Sequence, residues 1–203
     1  MKQKFIIPSV GKPVAVLNSR WSSNLSKSHK VTYLRVSGEI AIFRNQITFT
    51  MTIGDKIPEI LGVDQDGNQI KASDYRGRKI VLYSYPKANT GGCTAEACSL
   101  QAHKQELESM GYSIIGISRD KQAAQKKFAT AQGLEFPLVA DTETTVLQQL
   151  GAWGEKVACG HRTVGILRTT YLVNEEGIIE KIFTPKEIKT KIQAEQILDY
   201  LKK

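Results

Sequence analysis

Two cysteines, Cys93 and Cys98, lie five positions apart at a point where chemistry is expected. They follow an apolar run at residues 79–85, which predicts a buried strand, and a loop at residues 86–92. The next segment has the spacing of an amphipathic helix, so Cys93 is predicted at a helix N-terminus. Free backbone N–H groups and the helix dipole stabilise an anion there, so we expect thiolate at neutral pH. The sequence therefore predicts a reactive cysteine; the alternative is an inert buried thiol.

Strands and helices alternate from residue 51 onward. The apolar spacing predicts a helix after Cys93 that Gly111 ends, a helix capped by Asp120, and a helix near the C-terminus. The helix after Asp120 is expected to have Ala124, Phe128 and Ala131 on one face. Further strands are predicted at residues 112–118, 138–140, 169–173 and 178–183. The turn sequence Asn174 to Gly177 joins the last two strands as a hairpin. This order predicts an α/β, thioredoxin-like, three-layer fold with a central mixed sheet, in which the first crossovers are parallel.

The charge of the chain is concentrated in its first 50 residues. The net charge is +8, and residues 1–50 hold eight Lys and Arg against one acidic residue, Glu39. The remaining residues are therefore close to neutral and have no basic surface that could follow a phosphate backbone. We expect no binding of nucleic acid by this part of the chain.

Residues 1–50 and 51–203 are predicted to be separate parts: a basic, acid-poor leader and a folded domain. The leader has no apolar run long enough for a signal peptide or a membrane span, so we expect no membrane association. Its composition fits an organellar transit peptide, but it also fits sequence upstream of a true start at Met51, which is the interpretation we favour. A third alternative is a small hairpin within residues 31–50, where apolar and polar residues alternate.

The active loop and two later segments closely resemble the peroxiredoxin family. Pro86, Thr90 and Cys93 form the pattern P-x-x-x-T-x-x-C. Cys98, residues 153–156 and residues 165–173 are similar to the Q-type subfamily, also called bacterioferritin comigratory protein. The resemblance covers residues 51–203. Two positions depart from the family pattern: Gly91 stands where proline is usual and Ser84 where an aromatic is usual, so we expect a looser loop and thinner packing.

The resemblance implies a thiol peroxidase that reduces hydrogen peroxide and organic hydroperoxides. In such an enzyme the Cys93 thiolate attacks a peroxide oxygen and becomes a sulfenic acid. Pro86 would shield the sulfur from water. Thr90 would hold a peroxide oxygen through its hydroxyl, although a helix-capping role is an alternative or additional interpretation. No metal, flavin or haem is implied.

Arg168 is assigned to the site by resemblance, because spacing alone does not place it there. Strand alternation puts Arg168 on the same side as Thr170 and Leu172. A cation near the sulfur would favour the thiolate and bind peroxide oxygens. The alternative is an ordinary exposed arginine at the edge of a sheet.

Cys98 is implied to be the resolving thiol, which forms an intramolecular disulfide with Cys93. Positions five apart in a regular helix have Cα atoms roughly 8.6 Å apart, beyond the limit of about 6.8 Å for a disulfide. We therefore expect the helix to unwind locally when the bond forms. The alternative is a small core residue. Cys159 has no assigned role.

Three functions are compatible with this site: a thiol peroxidase recycled by thioredoxin or a similar dithiol reductant, a thioredoxin-type disulfide oxidoreductase, and a non-enzymatic redox sensor that passes its disulfide to a partner protein. The oxidoreductase is disfavoured because C-x-x-C is missing. Three unevenly spaced cysteines indicate a reducing compartment. We expect the cytoplasm, or an organelle stroma or matrix if residues 1–50 are a transit peptide. A resolving thiol on the same helix needs no second subunit, so we expect a monomer.

Overall fold

The computed structural model describes residues 34–36, 39–41, 51–158 and 160–203. The chain divides into two units, Met1–Gln46 and Ile47–Lys203. In the first unit, strands Leu34–Val36 (β1) and Glu39–Ala41 (β2) pair antiparallel. This pairing agrees with a hairpin within residues 31–50. The predictions of a transit peptide and of an upstream segment concern residues that lie largely outside the described part of the chain, and they stay predictions.

The second unit contains the remaining strands and all the helices that are described here. The strands are Ile60–Val63 (β3), Gln69–Lys71 (β4), Lys79–Ser84 (β5), Tyr112–Ser118 (β6), Leu138–Ala140 (β7), Trp153–Ala158 (β8), His161–Ile166 (β9), Thr169–Val173 (β10) and Ile179–Phe183 (β11). The helices are Gly91–Ala102 (α1), Lys104–Ser109 (α2), Gln122–Gln132 (α3), Thr145–Gln149 (α4) and Gln193–Leu201 (α5).

A five-stranded mixed sheet forms the centre of this unit. Its strand order is β11-β10-β5-β6-β7. Strands β5, β6 and β7 are parallel, whereas β10 runs antiparallel to both β5 and β11. The predicted α/β fold with parallel first crossovers and a C-terminal hairpin is confirmed. Strand β5 lies at the centre of the sheet, so the loop that follows it leaves from the middle of the fold.

Both faces of the sheet are buried, which makes the fold three-layered. On β5, Val81 and Tyr83 point to one face and pack with residues of α1, α3 and α5. Ile80 and Leu82 point to the other face, against α4 and the β3–β4 segment. Buried strands with apolar residues on both faces are typical of central parallel sheets. Cys93 belongs to the first of these two layers.

Two local predictions were wrong, and one hairpin was missed. The helix after Cys93 does not continue unbroken to Gly111, because α1 ends at Ala102 and α2 begins at Lys104. The buried face of α3 consists of Gln125, Phe128 and Ala129, whereas Ala131 is exposed. The hairpin β8–β9, which was not predicted, precedes β10, and its base is fixed by a hydrogen bond from Leu167 N to Ala152 O of 2.8 Å.

Within the described residues, none of the helices combines the length and the apolar character that crossing a bilayer requires.

Candidate active site

Helix α1 begins where the chain leaves β5 and turns back over the sheet. Thr90 is extended, with φ −105° and ψ 147°, and the helix starts at Gly91. Cys93 is therefore the third residue of the helix, where backbone N–H groups have no partner within the helix. Its side chain is 2% exposed and packs in the apolar layer between the sheet and the helices. The predicted position of this thiol at a helix N-terminus is confirmed.

The guanidinium of Arg168 lies beside the sulfur. Its Nη2 is 3.2 Å from Cys93 Sγ, and its Nη1 pairs with Glu96 Oε2. Arg168 directly precedes β10, and its side chain points to the face that Leu172 also occupies. The alternative of an exposed arginine at the sheet edge is wrong, because the side chain is only 18% exposed.

Glu96 is the main site residue that the sequence reasoning missed. It is fully buried one turn after Cys93, and spacing of three on the same helix face is the signal that could have identified it. Burial raises the pKa of Glu96 to about 7, although the charge of Arg168 and its hydrogen bond act in the opposite direction. Glu96 Oε1 has no hydrogen-bond partner among the described residues. The carboxyl group therefore takes up a proton at a higher pH than an exposed glutamate does.

Arg168 stays cationic near neutral pH. Burial lowers its pKa, but the negative charges of Glu96 and Cys93 more than offset burial, and the net pKa lies above its ordinary value. The single positive charge is shared between two acidic groups. When Glu96 is protonated, it no longer competes for the positive charge of Arg168. The guanidinium therefore stabilises a thiolate at Cys93 most strongly when the carboxyl group is neutral.

The loop before α1 is held by a carboxylate that follows the next strand, β6. Asp120 Oδ2 accepts hydrogen bonds from Ala88 N and from Ser118 Oγ, both at 2.8 Å. The expectation that Asp120 caps α3 was therefore wrong: the residue before this helix is Lys121, and the carboxylate turns to the loop instead. Asn89 adopts the left-handed conformation, with φ 57°, which asparagine tolerates better than most residues. These features fix the path of the chain toward Cys93.

Thr90 is exposed, and its Oγ1 donates a hydrogen bond of 2.9 Å to Lys87 O. No side-chain capping bond links it to α1, so the capping interpretation was wrong. Pro86 is half-buried at the start of the same loop. Both residues therefore lie on the segment that leads to the sulfur, as the motif predicts.

Two stacked tyrosines form the floor of the site. Tyr83 and Tyr85 have ring centroids 5.4 Å apart, and Tyr85 Oη donates to Gln125 Oε1. Burial, followed by the neighbouring Tyr85 and Glu96, raises the pKa of Tyr83 well above its ordinary value. Burial also raises the pKa of Tyr85. Both phenols are therefore neutral at physiological pH, and the surroundings of Cys93 combine an apolar floor with one cation and one buried carboxyl group.

Cys98 lies on the outer side of α1. It is exposed, and its sulfur is 3.6 Å from Gln132 Oε1. The alternative of a small core residue is therefore wrong. Cys93 and Cys98 are both free thiols within one continuous helix. Because positions five apart in a regular helix are roughly 8.6 Å apart at Cα, these two cannot form a disulfide without local unwinding.

Because Ser84 stands where an aromatic residue is usual, we expected thinner packing at this position. The structure shows instead a buried and fully hydrogen-bonded side chain. It is fully buried, and its Oγ is within hydrogen-bond distance of Leu167 O at 2.7 Å, Thr169 N at 3.0 Å and Thr169 O at 3.2 Å. These polar contacts join Ser84 to the backbone on both sides of Arg168. The small residue is therefore compatible with a well-packed strand end.

Cys159 lies outside the described residues. Within residues 51–158 and 160–203, no group of three or more His, Cys, Asp and Glu side chains is arranged to hold a metal ion. The described site consists of one buried thiol, one cation and one buried carboxyl group. These groups suit thiolate chemistry with a small, polarisable substrate.

Comparison with known proteins gives one consistent family. The AhpC/TSA family matches residues 53–182. A putative peroxiredoxin of Mycobacterium tuberculosis is 42% identical over 132 residues, which cover 65% of this chain and 84% of that protein. Peroxiredoxin Bcp of Escherichia coli is 38% identical over 149 residues, covering 73% and 94%.

A solved structure gives the same result. Xanthomonas campestris peroxiredoxin Q, as a cysteine-to-serine mutant, aligns with a TM-score of 0.64 and 31% identity, covering 69% of this chain and 88% of that one. The resemblance to Q-type peroxiredoxins and the thioredoxin-like fold are thereby confirmed. With its buried thiol beside an arginine at the start of α1, the chain belongs to the AhpC/TSA family as a peroxiredoxin of the Bcp or Q type, a thiol peroxidase.

Proposed function

We propose that Cys93 is the peroxidatic cysteine and that Cys98 is the resolving cysteine of an intramolecular catalytic cycle. The observation that carries this proposal is the 3.2 Å contact between Arg168 Nη2 and Cys93 Sγ at the start of α1. The guanidinium and the helix N-terminus both stabilise a thiolate. In this arrangement an electron-rich sulfur meets donors that can bind peroxide oxygens.

In the first step, the Cys93 thiolate attacks the terminal oxygen of a hydroperoxide. The S–O bond forms, the O–O bond breaks, and the released alkoxide or hydroxide takes up a proton to leave as alcohol or water. Arg168 has donors enough to contact the sulfur and the developing negative charge on oxygen together. Sulfur is oxidised by two electrons to sulfenic acid, and the peroxide is reduced.

In the second step, the Cys98 thiol condenses with the sulfenic acid. The S–S bond forms and the hydroxyl group of the sulfenic acid leaves as water. The exposure of Cys98 keeps this thiol available, and the helical separation of roughly 8.6 Å requires α1 to unwind first. Two contacts resist that unwinding, since Ser99 Oγ is bonded to Ala194 N and to Glu195 Oε2, both at 3.1 Å.

In the third step, thioredoxin or a similar dithiol reductant attacks the disulfide and returns both cysteines to thiols. We propose that the enzyme works as a monomer, since both reacting sulfurs belong to one helix. We also propose a reducing compartment: the cytoplasm, or an organelle stroma or matrix if residues 1–50 are a transit peptide. The uneven cysteine spacing supports a reducing compartment.

We propose that the substrates include both hydrogen peroxide and organic hydroperoxides. A related protein, the bacterioferritin comigratory protein of Xanthomonas campestris, has been solved in trapped intermediate and ligand complexes that bear on its alkyl peroxide reduction. That structure is 29% identical to this chain, with a TM-score of 0.64.

Stopped-flow consumption of peroxide by Cys93→Ser and Cys98→Ser variants tests this cycle. We expect the Cys93 variant to react with no peroxide. The Cys98 variant should consume one equivalent of peroxide and then stop, because a reductant that acts on the Cys93–Cys98 disulfide has no substrate in this variant. A wild-type protein that consumes one equivalent, yet turns over poorly with every general reductant, would indicate the redox sensor instead. A Cys93 variant with wild-type consumption would refute the assignment of the peroxidatic cysteine.

A further inference from the structure

Ser84 lies opposite the start of β10 and makes contact with the backbone on both sides of Arg168. Its Oγ is 2.7 Å from Leu167 O, to which it donates, and it accepts a hydrogen bond from Thr169 N at 3.0 Å. Thr169 O, at 3.2 Å, is a second possible acceptor. Leu167 O and Thr169 N belong to the two peptide groups that flank the Cα atom of Arg168. The hydroxyl therefore restrains the orientation of both peptide groups next to this residue.

We propose that Ser84 is a positioning residue for peroxide reduction, which acts on Cys93 only through Arg168. The proposal rests on the proposed role of Cys93. One hydroxyl bound to both flanking peptide groups determines where the Arg168 side chain begins. The distance of 3.2 Å between Nη2 and Cys93 Sγ depends on that origin.

The position of Ser84 within the sheet excludes a direct effect on the sulfur. Along β5, Tyr83 faces the layer that contains Cys93, whereas Leu82 faces the opposite layer. Side chains alternate along a strand, so Ser84 points away from Cys93. Ser84 is also fully buried, so it cannot contact a substrate from solvent. Any influence on the thiolate must pass through the backbone of β10.

Loss of the hydroxyl would leave this backbone less restrained. Thr169 N would lose the side-chain acceptor that the structure shows, whereas Leu167 O would keep a contact with Thr169 Oγ1 at 3.2 Å. A shift of the order of 1 Å at a catalytic group can reduce a rate by about 10²-fold. Because Leu167 remains tied to Ala152, we expect a smaller shift and a smaller effect.

The test is a double-mutant cycle between Ser84→Ala and Arg168→Met, read as the rate constant of a single turnover with hydrogen peroxide. We expect Ser84→Ala to reduce the rate constant about tenfold in the wild-type background and to have no further effect in the Arg168→Met background. Ser84→Thr keeps the hydroxyl and should retain at least half of the wild-type rate constant. Thr170→Val is the matched control, because Thr170 Oγ1 is buried without a partner among the described residues.

Three outcomes would overturn the proposal. The first is an unchanged rate constant in Ser84→Ala, and the second is a tenfold loss from Ser84→Ala that persists in the Arg168→Met background. The third is a loss of rate in Thr170→Val as large as that in Ser84→Ala. The pH profile of Cys93 alkylation by iodoacetamide gives a second readout, which should shift in Ser84→Ala and stay unchanged in Thr170→Val. Unfolding midpoints are measured alongside, and if Ser84→Ala fails to fold it is replaced in the cycle by Ser84→Gly, which also lacks the hydroxyl group. Failure of the proposed function would give a different result, namely a Cys93→Ser variant that still consumes peroxide at the wild-type rate.

Discussion

Arg168 and Glu96 form a buried ion pair that shares its cation with the sulfur of Cys93. Arg168 Nη1 contacts Glu96 Oε2, and Nη2 lies 3.2 Å from Cys93 Sγ. The two acceptors stand one helical turn apart on α1, so a single planar guanidinium reaches both. The charge that supports the thiolate is therefore also the charge that allows a carboxylate in the core.

Replacement of Arg168 should show how much of the rate constant for peroxide reduction depends on its positive charge and how much on the planar geometry of its guanidinium. Lysine keeps the positive charge but is a point charge that cannot serve two acceptors in fixed directions. We expect the rate constant for peroxide reduction to fall about tenfold in Arg168→Lys and about 10²-fold to 10³-fold in Arg168→Met. Single-turnover kinetics measures both. Arg162→Lys, an exposed residue of β9, is the matched control and should keep the wild-type rate constant. Equal rates in Arg168→Lys and wild type would contradict the bridging role.

The stability of the reduced protein should depend on pH through Glu96. Its pKa is about 7 in the folded state, raised by burial from an ordinary value of 4.5. Between these values the folded state binds more protons than the unfolded state, so stability falls as pH rises from 4.5 to 7. The contribution is fully present below 4.5 and lost above about 7.

Urea unfolding at a series of pH values from 4.5 to about 8 measures this contribution. The range covers the window between the ordinary pKa of Glu96, 4.5, and its raised pKa of about 7. In Glu96→Gln the decline across the window should flatten, because no proton is exchanged at this position. Glu180→Gln removes an exposed carboxylate on β11 and should keep the wild-type slope. A Glu96→Gln protein with an unaltered slope would show that another group is responsible.

Formation of the Cys93–Cys98 disulfide should melt the first part of α1. Hydrogen exchange of residues 93–100 is expected to be slow in the reduced protein and fast in the oxidised protein, because the bond cannot close across an intact helix. The amides of α3 should be equally protected in both states. Ser99→Ala, which loses the contacts with Ala194 and Glu195, should exchange faster even when reduced. Equal protection of residues 93–100 in the two oxidation states would refute the mechanism.

Gly91→Pro should stabilise the reduced protein by about 1 kcal/mol. Gly91 is the first residue of α1, where proline lacks only an N–H that has no helical partner, and no atom lies within 4 Å of an added Cβ. The extended Thr90, with ψ 147°, is compatible with a following proline. Urea unfolding gives the free energy of unfolding. Gly111→Ala is the contrasting control: φ of 84° should make it destabilising by about 1 kcal/mol.

The local pattern of the sequence was sufficient to predict the strand, loop and helix around Cys93. Apolar runs identified β5, β6 and β10, and the motif of Pro86, Thr90 and Cys93 identified the family. These features depend on neighbouring residues, whose spacing fixes which side of a strand or helix they occupy. The break after α1 at His103 and the hairpin β8–β9 were missed, because neither carries a strong periodic signal.

The sequence by itself determined that a thiol stands at a helix N-terminus in a thioredoxin-like sheet. Only the tertiary structure decided which groups surround it. Arg168 is 75 positions from Cys93, and Ser84 is 83 positions from Leu167. Such pairs meet because β10 lies next to β5 in the sheet, and strand order is set by packing of the whole domain rather than by local spacing. The burial that raises the pKa of Glu96 arises in the same way, from layers that come together only in the folded chain.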